Sequence, residues 1–310
     1  MRIKRSFVFV GPLLILLAIY YFGPLDNASS ISIPKDEKHR GICWVGGPQI
    51  IQSSDIEYVA NLGVNWISQT PFGWQRGHDN PEIGHQIENQ NGWWGERDEG
   101  LIKTTQYAKA NGIKTILKPH IWLRDEGGKW RGEIAMNNEE DWQKWFKQYE
   151  EFILHYAKIA EESGMEMLCI GTELHQTCVQ REQDWRNLIA KIRTVYSGPL
   201  TYAANFSDEY QEVSFWDELD YIGVQGYFPL TNSTEPTVDE LIAGWKSPLK
   251  ELQVFSNKYD KPILFTEIGY KSTKDSGIEP WTWPQRLDRN KREAIYSEQV
   301  QANLYEAMMQ

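Results

Sequence analysis

The chain has 310 residues, 41% of them hydrophobic, and a formal net charge of -11. This length suits one large α/β domain or two small ones, and the acidic balance argues against a nucleic-acid-binding surface. Fourteen Trp and fifteen Tyr residues are many for such a chain, and flat rings of this kind either pack in a core or stack on the apolar faces of sugars.

The N-terminus predicts an export signal or a membrane anchor. Basic residues precede an apolar run from Phe7 to Phe22, which suits the apolar segment of a signal peptide or a short signal-anchor. No A-x-A cleavage site follows the run, which favours an uncleaved membrane tether through residues 7–22. We expect an exported protein of the cell envelope, membrane-anchored or periplasmic or secreted, with residues 1–30 as signal or anchor and 31–40 as a linker.

From Gly41 onward, short apolar strands alternate with amphipathic helices, which is the pattern of a parallel α/β fold. Helices are predicted between successive strands, among them one at about 184–196, one at 238–259 and a last one at about 290–309. Seven strand segments are predicted, at 41–47, 63–75, 112–123, 165–174, 199–206, 219–230 and 261–270. This order predicts a (β/α)8 TIM barrel over residues 41–310 that lacks the eighth β/α unit at the C-terminus.

The helix after the third strand has the clearest periodicity in the chain. Its apolar and aromatic residues recur every three or four positions on one face, which predicts that they are core residues and not sugar contacts. The residues on this face are Trp142, Trp145, Phe146, Tyr149, Phe152, Ile153, Tyr156, Ile159 and Ala160.

Two glutamates follow buried strands at corresponding places. An apolar run ends just before Glu267 in KPILFTEIGY, and another ends just before Glu173 in MEMLCIGTEL. A buried carboxylate is costly unless it is paired or hydrogen-bonded, and the carboxyl ends of the strands form the active-site face of a TIM barrel. The two acids together indicate general-acid and nucleophile chemistry, as in glycoside hydrolysis. The alternative is that each acid pairs with a Lys or Arg at the barrel rim.

The cysteines and histidines predict no metal site. Cys43, Cys169 and Cys178 form no even disulfide set and have no metal-ligand spacing. Cys43 and Cys169 fall in predicted strands on different sides of the barrel, so we expect both to be core thiols. No cluster of His, Asp and Glu has ligand spacing, and neither a metal nor another cofactor is predicted.

Several motifs, in order along the chain, resemble glycoside hydrolase family 113, a family of clan A barrels that includes β-1,4-mannanases. They are VNWISQTPFGWQ, WWGERDEGL, GIKTILKPHIW, CIGTEL, LTYAANF, LDYIGVQGYFPL and FTEIGY. The resemblance runs from about Gly41 to the C-terminus and implies Glu173 as acid/base and Glu267 as nucleophile. Two features depart from the clan: Thr172 stands where most members have Asn, and the strand-eight Trp has no counterpart among the predicted strands.

Residues near the strand ends are candidates for binding the substrate. Tyr227 is placed to hydrogen-bond Glu267, and Asn205 to contact the sugar or the acid/base; the alternative for Tyr227 is a tyrosine of the rim. Lys118 is interpreted as an ion-pair partner at the rim and His175 as a structural histidine. The full predicted substrate-binding set is Trp74, His120, Trp122, Asn205, Tyr227 and Trp281.

These features predict a retaining endo-glycoside hydrolase that acts on β-1,4-mannan-type polysaccharides. Retention requires the two carboxyl groups to lie about 5 to 5.5 Å apart, close enough for direct attack. A non-catalytic carbohydrate-binding barrel and a transglycosylase on another β-glycan are the alternatives, since both would use the same cleft. The sequence leaves the identity of the sugar open, because mannose and glucose differ only in the orientation of the 2-hydroxyl.

Overall fold

The computed structural model of the chain describes residues 38–85, 92–282 and 295–310. The predicted signal or anchor, including the apolar run 7–22, lies outside the described residues, as does most of the predicted linker. None of the described helices is long and apolar enough to cross a membrane. The chain divides into two compact units, and the predicted domain boundaries stay predictions.

The larger unit, His39–Phe228 with Ser247–Ile268, contains a sheet of seven parallel strands. The strands follow one another around the sheet in chain order: β1 (Gly41–Trp44), β2 (Trp66–Gln69), β5 (Lys114–Leu117), β7 (Met167–Thr172), β8 (Leu200–Ala204), β9 (Ile222–Gln225) and β10 (Ile263–Glu267). They form a nearly closed barrel with helices in the connections, which confirms the predicted TIM-type fold. Within the described residues, β1 and β10 are each paired on one side only.

The helices occupy the connections that the sequence predicts. They are α1 (Ser53–Asn61), α2 (Asp98–Ala110), α3 (Glu139–Ser163), α4 (His175–Gln180), α5 (Glu182–Arg193), α6 (Glu209–Glu212), α7 (Val238–Tyr259) and α8 (Glu298–Met309). The predicted start of the last helix, 290–294, lies outside the described residues. In α3, the Asn138 side chain caps the first turn and Gly164 ends the helix with a positive φ of 61°. All nine residues of its predicted core face are buried, as expected.

The second and third predicted strands are not continuous, and that prediction was wrong. Each is interrupted at a proline, Pro71 or Pro119, because proline cannot donate a backbone hydrogen bond to a sheet ladder. Beyond the prolines the chain forms a second sheet from β3 (Phe72–Arg76), β4 (Ile83–Gly84) and β6 (His120–Arg124), in the order β4-β3-β6. This second sheet therefore continues β2 and β5 past the carboxyl end of the barrel.

Cys169 is buried as predicted, whereas Cys43 is exposed. Cys43 was predicted to be a core thiol because it falls in a strand, but β1 is an edge strand of the seven-stranded sheet and leaves Cys43 exposed. The two cysteines were also expected on different sides of the barrel. The Cys43 Sγ atom lies 3.9 Å from the carbonyl oxygen of Thr266 on β10, so the two edge strands approach each other.

The smaller unit contains Lys38, Pro229–Lys246 and the described part of Gly269–Gln310. Within it, the Leu230 amide donates to the Gly277 carbonyl at 2.9 Å. Tyr270 and Tyr305 pack edge to face with ring centroids 5.4 Å apart, which joins the segment after β10 to α8. Trp281 belongs to this unit, and its predicted contact with substrate stays a prediction.

Candidate active site

Glu173 is the first residue after β7, and its backbone is in the left-handed region with a φ of 51°. A non-glycine residue there is strained and persists only where its surroundings hold it. The Glu173 amide donates to the Ala203 carbonyl at 2.9 Å, and the next amide, that of Leu174, donates to the Tyr202 hydroxyl at 2.6 Å. Strand β8 thus holds the turn that directs the Glu173 side chain.

The Glu173 carboxyl group is buried and has two polar neighbours. Asn205 Nδ2, just beyond β8, donates to Oε1 at 2.8 Å, and Arg131 Nε lies 3.8 Å from Oε2. Burial raises the pKa of Glu173, Arg131 and Asn205 lower it, and the negative charge of Glu267 raises it, with a raised pKa as the result. Burial contributes more to the raised pKa of Glu173 than the neighbouring charge of Glu267 does.

Glu267, the last residue of β10, has a cationic partner in direct contact. Lys118 Nζ lies 2.7 Å from Oε1, and the Tyr227 hydroxyl donates to Oε2 at 3.0 Å, as predicted for this tyrosine. Burial raises the pKa of Glu267, but the charge of Lys118 and the hydrogen bonds from Lys118 and Tyr227 outweigh it, so the pKa is lowered. Glu267 is therefore held as the carboxylate.

Lys118 is not at the rim, where the sequence placed it, but fully buried in the barrel. It follows β5, and its ammonium also donates to the Thr266 carbonyl at 3.0 Å. Burial lowers the pKa of Lys118, yet attraction to Glu267 outweighs this and leaves the pKa above its ordinary value. The predicted ion pair occurs, but the rim position was wrong, because the inward direction of a side chain at a strand end depends on the barrel's closure, which the sequence does not show.

His120, at the start of β6, presents one unused ring nitrogen. Arg131 Nη1 lies 2.9 Å from Nδ1, and since a guanidinium can only donate, we assign the histidine proton to Nε2. Burial and the charges of Lys118 and Arg131 hold the pKa of His120 well below its usual value, so the ring is neutral. Its Nε2 is buried and makes no hydrogen bond within the described residues, which leaves a donor for a ligand.

A buried glutamate that the sequence did not single out supports the Glu173 side of the site. Glu209, on α6, accepts from the Tyr202 hydroxyl and from the Asn205 backbone amide. Burial raises the pKa of Glu209 to about 8. Glu209 thus holds the Tyr202 hydroxyl, which contacts the turn at Glu173, and the backbone of Asn205, whose side chain donates to Glu173.

The remaining predicted residues take separate positions. Trp74 and Trp122 are partners in the register of the second sheet, and Trp122 is 54% exposed. His175 Nε2 lies 2.5 Å from Glu212 Oε2, which fits the predicted structural histidine. Within the described ranges, no group of three or more His, Cys, Asp or Glu side chains is arranged to hold a metal ion.

Three residues of the site escaped the sequence analysis as site members: Lys118, Arg131 and Glu209. Lys118 carried a usable signal, because a lysine inside the apolar segment TILKPH needs a partner for the same reason as Glu267. Arg131 lies in a short 3-10 helix within a polar loop, and Glu209 lies in a helix of four residues. Neither of these two has a local pattern that separates it from solvated charges.

The model of Glycoside Hydrolase Family 113 matches residues 50–310. A solved complex of a GH113 β-1,4-mannanase is 27% identical, with a TM-score of 0.70 over 87% of this chain and 82% of that chain. The GH113 β-mannanase AaManA from Alicyclobacillus acidocaldarius, solved with ManMIm, is 28% identical, with a TM-score of 0.70 over 87% and 81%.

A β-glucuronidase from Ruminococcus gnavus is similar in fold alone: it is 13% identical, with a TM-score of 0.55 over 87% of this chain and 40% of that chain. No curated protein sequence matches the chain. The family match covers most of the chain, including both strand-end glutamates and the residues that contact them. The chain is therefore a hydrolase that belongs to Glycoside Hydrolase Family 113.

Proposed function

We propose that the protein is a retaining, endo-acting glycoside hydrolase that cleaves β-1,4-mannan-type polysaccharides. The observation that carries the proposal is the contrast between the surroundings of two strand-end glutamates: Lys118 and Tyr227 contact Glu267 and lower its pKa, whereas burial raises the pKa of Glu173. Pairs of carboxyl groups whose surroundings separate their pKa values in this way serve as acid and nucleophile. Glu173 is then the acid/base, and Glu267 is the nucleophile.

In the first step, a Glu267 carboxylate oxygen attacks the anomeric carbon and forms a glycosyl ester. The bond from this carbon to the leaving oxygen breaks, and Glu173 gives its proton to that oxygen. Lys118 and Tyr227 hold the two Glu267 oxygens, so the nucleophile is fixed in one orientation before attack. Folding therefore orders the nucleophile, and no further ordering of Glu267 is needed during the reaction.

In the second step, water attacks the same carbon from the side that the leaving group vacated. Glu173, now ionised, takes a proton from the water, and the ester bond to Glu267 breaks to restore the carboxylate. Two successive inversions return the original anomeric configuration. Neutralisation of Glu267 in the ester removes the negative charge that raises the pKa of Glu173, so this pKa falls in the intermediate and favours the ionised Glu173 that acts as the base.

The proposed substrate contacts are groups of the site with spare hydrogen-bonding capacity, together with aromatic rings that can stack on sugars. His120 Nε2 donates to a sugar hydroxyl, because it is a buried donor without a partner in the described part of the chain. Asn205 orients Glu173 and offers its remaining capacity to the sugar. Trp74 and Trp122 supply flat surfaces for further sugar rings, and Trp281 is proposed as a further stacking residue.

The choice of mannan rests on the relatives. The two GH113 structures with a TM-score of 0.70 are named as β-mannanases, and the chain covers more than four-fifths of each. The site geometry itself does not select the sugar. We also propose that the protein is exported to the cell envelope, with residues 7–22 as signal or tether; N-terminal sequencing of the protein from a membrane fraction tests this.

The deciding experiment measures reducing-sugar release from β-1,4-mannan, glucomannan and cellulose. We expect the chain to cleave mannan, to give products of mixed length with retained configuration, and to lose activity by several orders of magnitude in Glu267→Ala. Glu57→Ala, an exposed glutamate of α1, is the matched control and keeps full activity. Mannan binding without cleavage would replace the proposal with a binding barrel, and products longer than the substrate would replace it with a transglycosylase.

A further inference from the structure

The second sheet has two unlike faces. The face formed by Gly73, Gln75 and their neighbours packs on α3: the missing side chain of Gly73 makes room for Phe152, and Trp145 Nε1 donates to Gln75 Oε1 at 2.9 Å. The alternate residues of β3 and β6 form the other face. In the parallel register they make three pairs, namely Phe72 with His120, Trp74 with Trp122, and Arg76 with Arg124.

The first pair on this face belongs to the active site. The His120 and Phe72 rings have centroids 5.3 Å apart, and His120 contacts Arg131, which lies near Glu173. From His120 to Arg124 the strand advances about 13 Å. The three pairs therefore run from the two glutamates outward, in the direction that a bound polysaccharide can follow.

The second pair gives this face an aromatic surface. The Trp74 indole lies over Gly84 on β4, where any side chain would collide with the ring. Trp122 is 54% exposed and packs edge to face against Phe72, with centroids 6.1 Å apart. Trp74 and Trp122 lie side by side and form an aromatic patch, a feature that can mark a ligand-binding groove, and sugar rings fit such a surface.

The third pair places two like charges side by side. Arg76 and Arg124 are direct cross-strand partners and both are exposed, an arrangement that is destabilising in an isolated sheet. Among residues 38–85, 92–282 and 295–310, no carboxylate forms an ion pair with either guanidinium. The adjacent acid, Asp125, already has other partners: one carboxylate oxygen pairs with the His78 ring, and the other accepts from the Gly127 amide. An anion from a ligand would relieve this repulsion.

We propose that Arg76 and Arg124 bind the carboxylate of an acidic sugar in a β-1,4-mannan-type chain that lies over Trp74 and Trp122. This inference rests on the proposed function, because it takes the active-site glutamates as the place of cleavage. Guanidinium groups bind carboxylates through paired hydrogen bonds, and two adjacent arginines offer more donors than one carboxylate can accept. The site therefore selects a β-glycan that carries an acidic residue a few sugars away from the cleaved bond.

Binding to the inactive variant Glu267→Gln tests this by calorimetry. The probes are mannan oligosaccharides and the same oligosaccharides with part of their primary hydroxyls oxidised to carboxylates. We expect the oxidised probe to bind about threefold to tenfold more tightly, with the preference reduced by added salt. Adding Arg76→Gln and Arg124→Gln abolishes the preference and leaves affinity for the neutral probe within about twofold.

The matched control adds Lys147→Gln and Lys250→Gln, which remove the same charge from exposed positions on α3 and α7. The preference must survive in this control; its loss there would show a net-charge effect and overturn the inference. Equal binding of the two probes, or a preference that persists without the two arginines, would also overturn it. Cleavage of neutral mannan by the wild-type chain, measured in parallel, reports on the proposed function alone.

Discussion

Glu173 and Glu267 occupy equivalent places at the ends of β7 and β10, but their surroundings oppose each other. Glu267 contacts the buried ammonium of Lys118 at 2.7 Å, whereas Arg131, the cation that pairs with Glu173, lies 3.8 Å away and is partly exposed. The pKa of Glu267 is lowered, and that of Glu173 is raised. The barrel thus fixes where the two acids stand, and the direct contact with Lys118 offsets burial at Glu267 but has no equivalent at Glu173, so the two pKa values shift in opposite directions.

Removing Glu173 is the strongest test of the different roles of Glu173 and Glu267. Glu173→Ala leaves the nucleophile in place but no group to protonate the leaving oxygen, so kcat on mannan should fall by about 10²- to 10⁴-fold. Substrates with an acidic aryl leaving group need no such proton, and their first step should be nearly normal in a burst experiment. An equal loss on both kinds of substrate would remove Glu173 from the acid role. Glu57→Ala is the control and should behave as wild type.

Removing Lys118, the cation beside Glu267, should erase the difference between the pKa shifts of Glu267 and Glu173. In Lys118→Met, Glu267 keeps its burial, which raises its pKa, and loses the charge that lowers it. Because attack needs the carboxylate, the acidic limb of the kcat/KM profile should move to higher pH, with a loss of roughly tenfold to hundredfold below the optimum from one charge-assisted contact.

Lys114→Met, at the exposed start of the same strand, is the matched control and should leave the acidic limb unchanged. The unfolding free energy of Lys118→Met should also fall, because a partly buried carboxylate is left without its cation. An acidic limb at the wild-type position, in a variant that still folds by circular dichroism, would mean that Lys118 acts only as a structural group.

Removing Arg131, the cation near Glu173, should have a smaller effect than removing Lys118, and it should act on the basic limb of the kcat/KM profile. Arg131 lowers the pKa of Glu173, so in Arg131→Gln this pKa should rise further and Glu173 should keep its proton to higher pH. The basic limb of kcat/KM then moves upward, while the rate at the optimum falls only a few-fold, through loss of the His120 contact. Lys129→Gln, in the same loop, serves as control; a basic limb that shifts equally there would point to general surface charge.

Much of this site was predictable because its residues follow predicted strands. Glu173, Glu267, Asn205 and Tyr227 each come where an apolar run ends, and parallel strands end at one face of a barrel. The contact between Asn205 and Glu173 and that between Tyr227 and Glu267 were both expected and both occur. The distance between the two carboxyl groups stays a prediction.

The rest depended on contacts between distant parts of the chain. Lys118 and Glu267 are separated by 149 residues and meet only inside the closed barrel. The breaks at Pro71 and Pro119 had a local signal, since proline interrupts a ladder, but the sequence gives no reason why the following residues should pair as a separate sheet. The arginine pair on that sheet follows from a register that only the folded chain defines.

The smallest expected effect concerns Glu209, which acts on Glu173 only through Asn205 and Tyr202. Burial raises the pKa of Glu209 from the ordinary value of 4.5 to about 8, so between these values the folded state binds a proton that the unfolded state has lost. Its contribution to stability is therefore complete below about pH 4.5 and is lost as pH rises toward 8, by up to about 1.4 kcal/mol per pH unit. Glu209→Gln has no such proton and can keep both contacts.

The unfolding free energy of Glu209→Gln, from urea titrations between pH 4.5 and 8, should fall less steeply with pH than that of the wild type. Its kcat near pH 6 should change less than about twofold. Glu212→Gln, on the same short helix but exposed and paired with His175, should retain the wild-type slope. Parallel slopes for the wild type and Glu209→Gln would mean that Glu209 is ionised in the folded chain, with the donors Tyr202 and Asn205 sufficient to stabilise the charge. Tyr202 and Asn205, which hold Glu173 and its turn, would then be bound by an ionised Glu209, and the different pKa shifts of Glu173 and Glu267 would depend on burial and on Lys118.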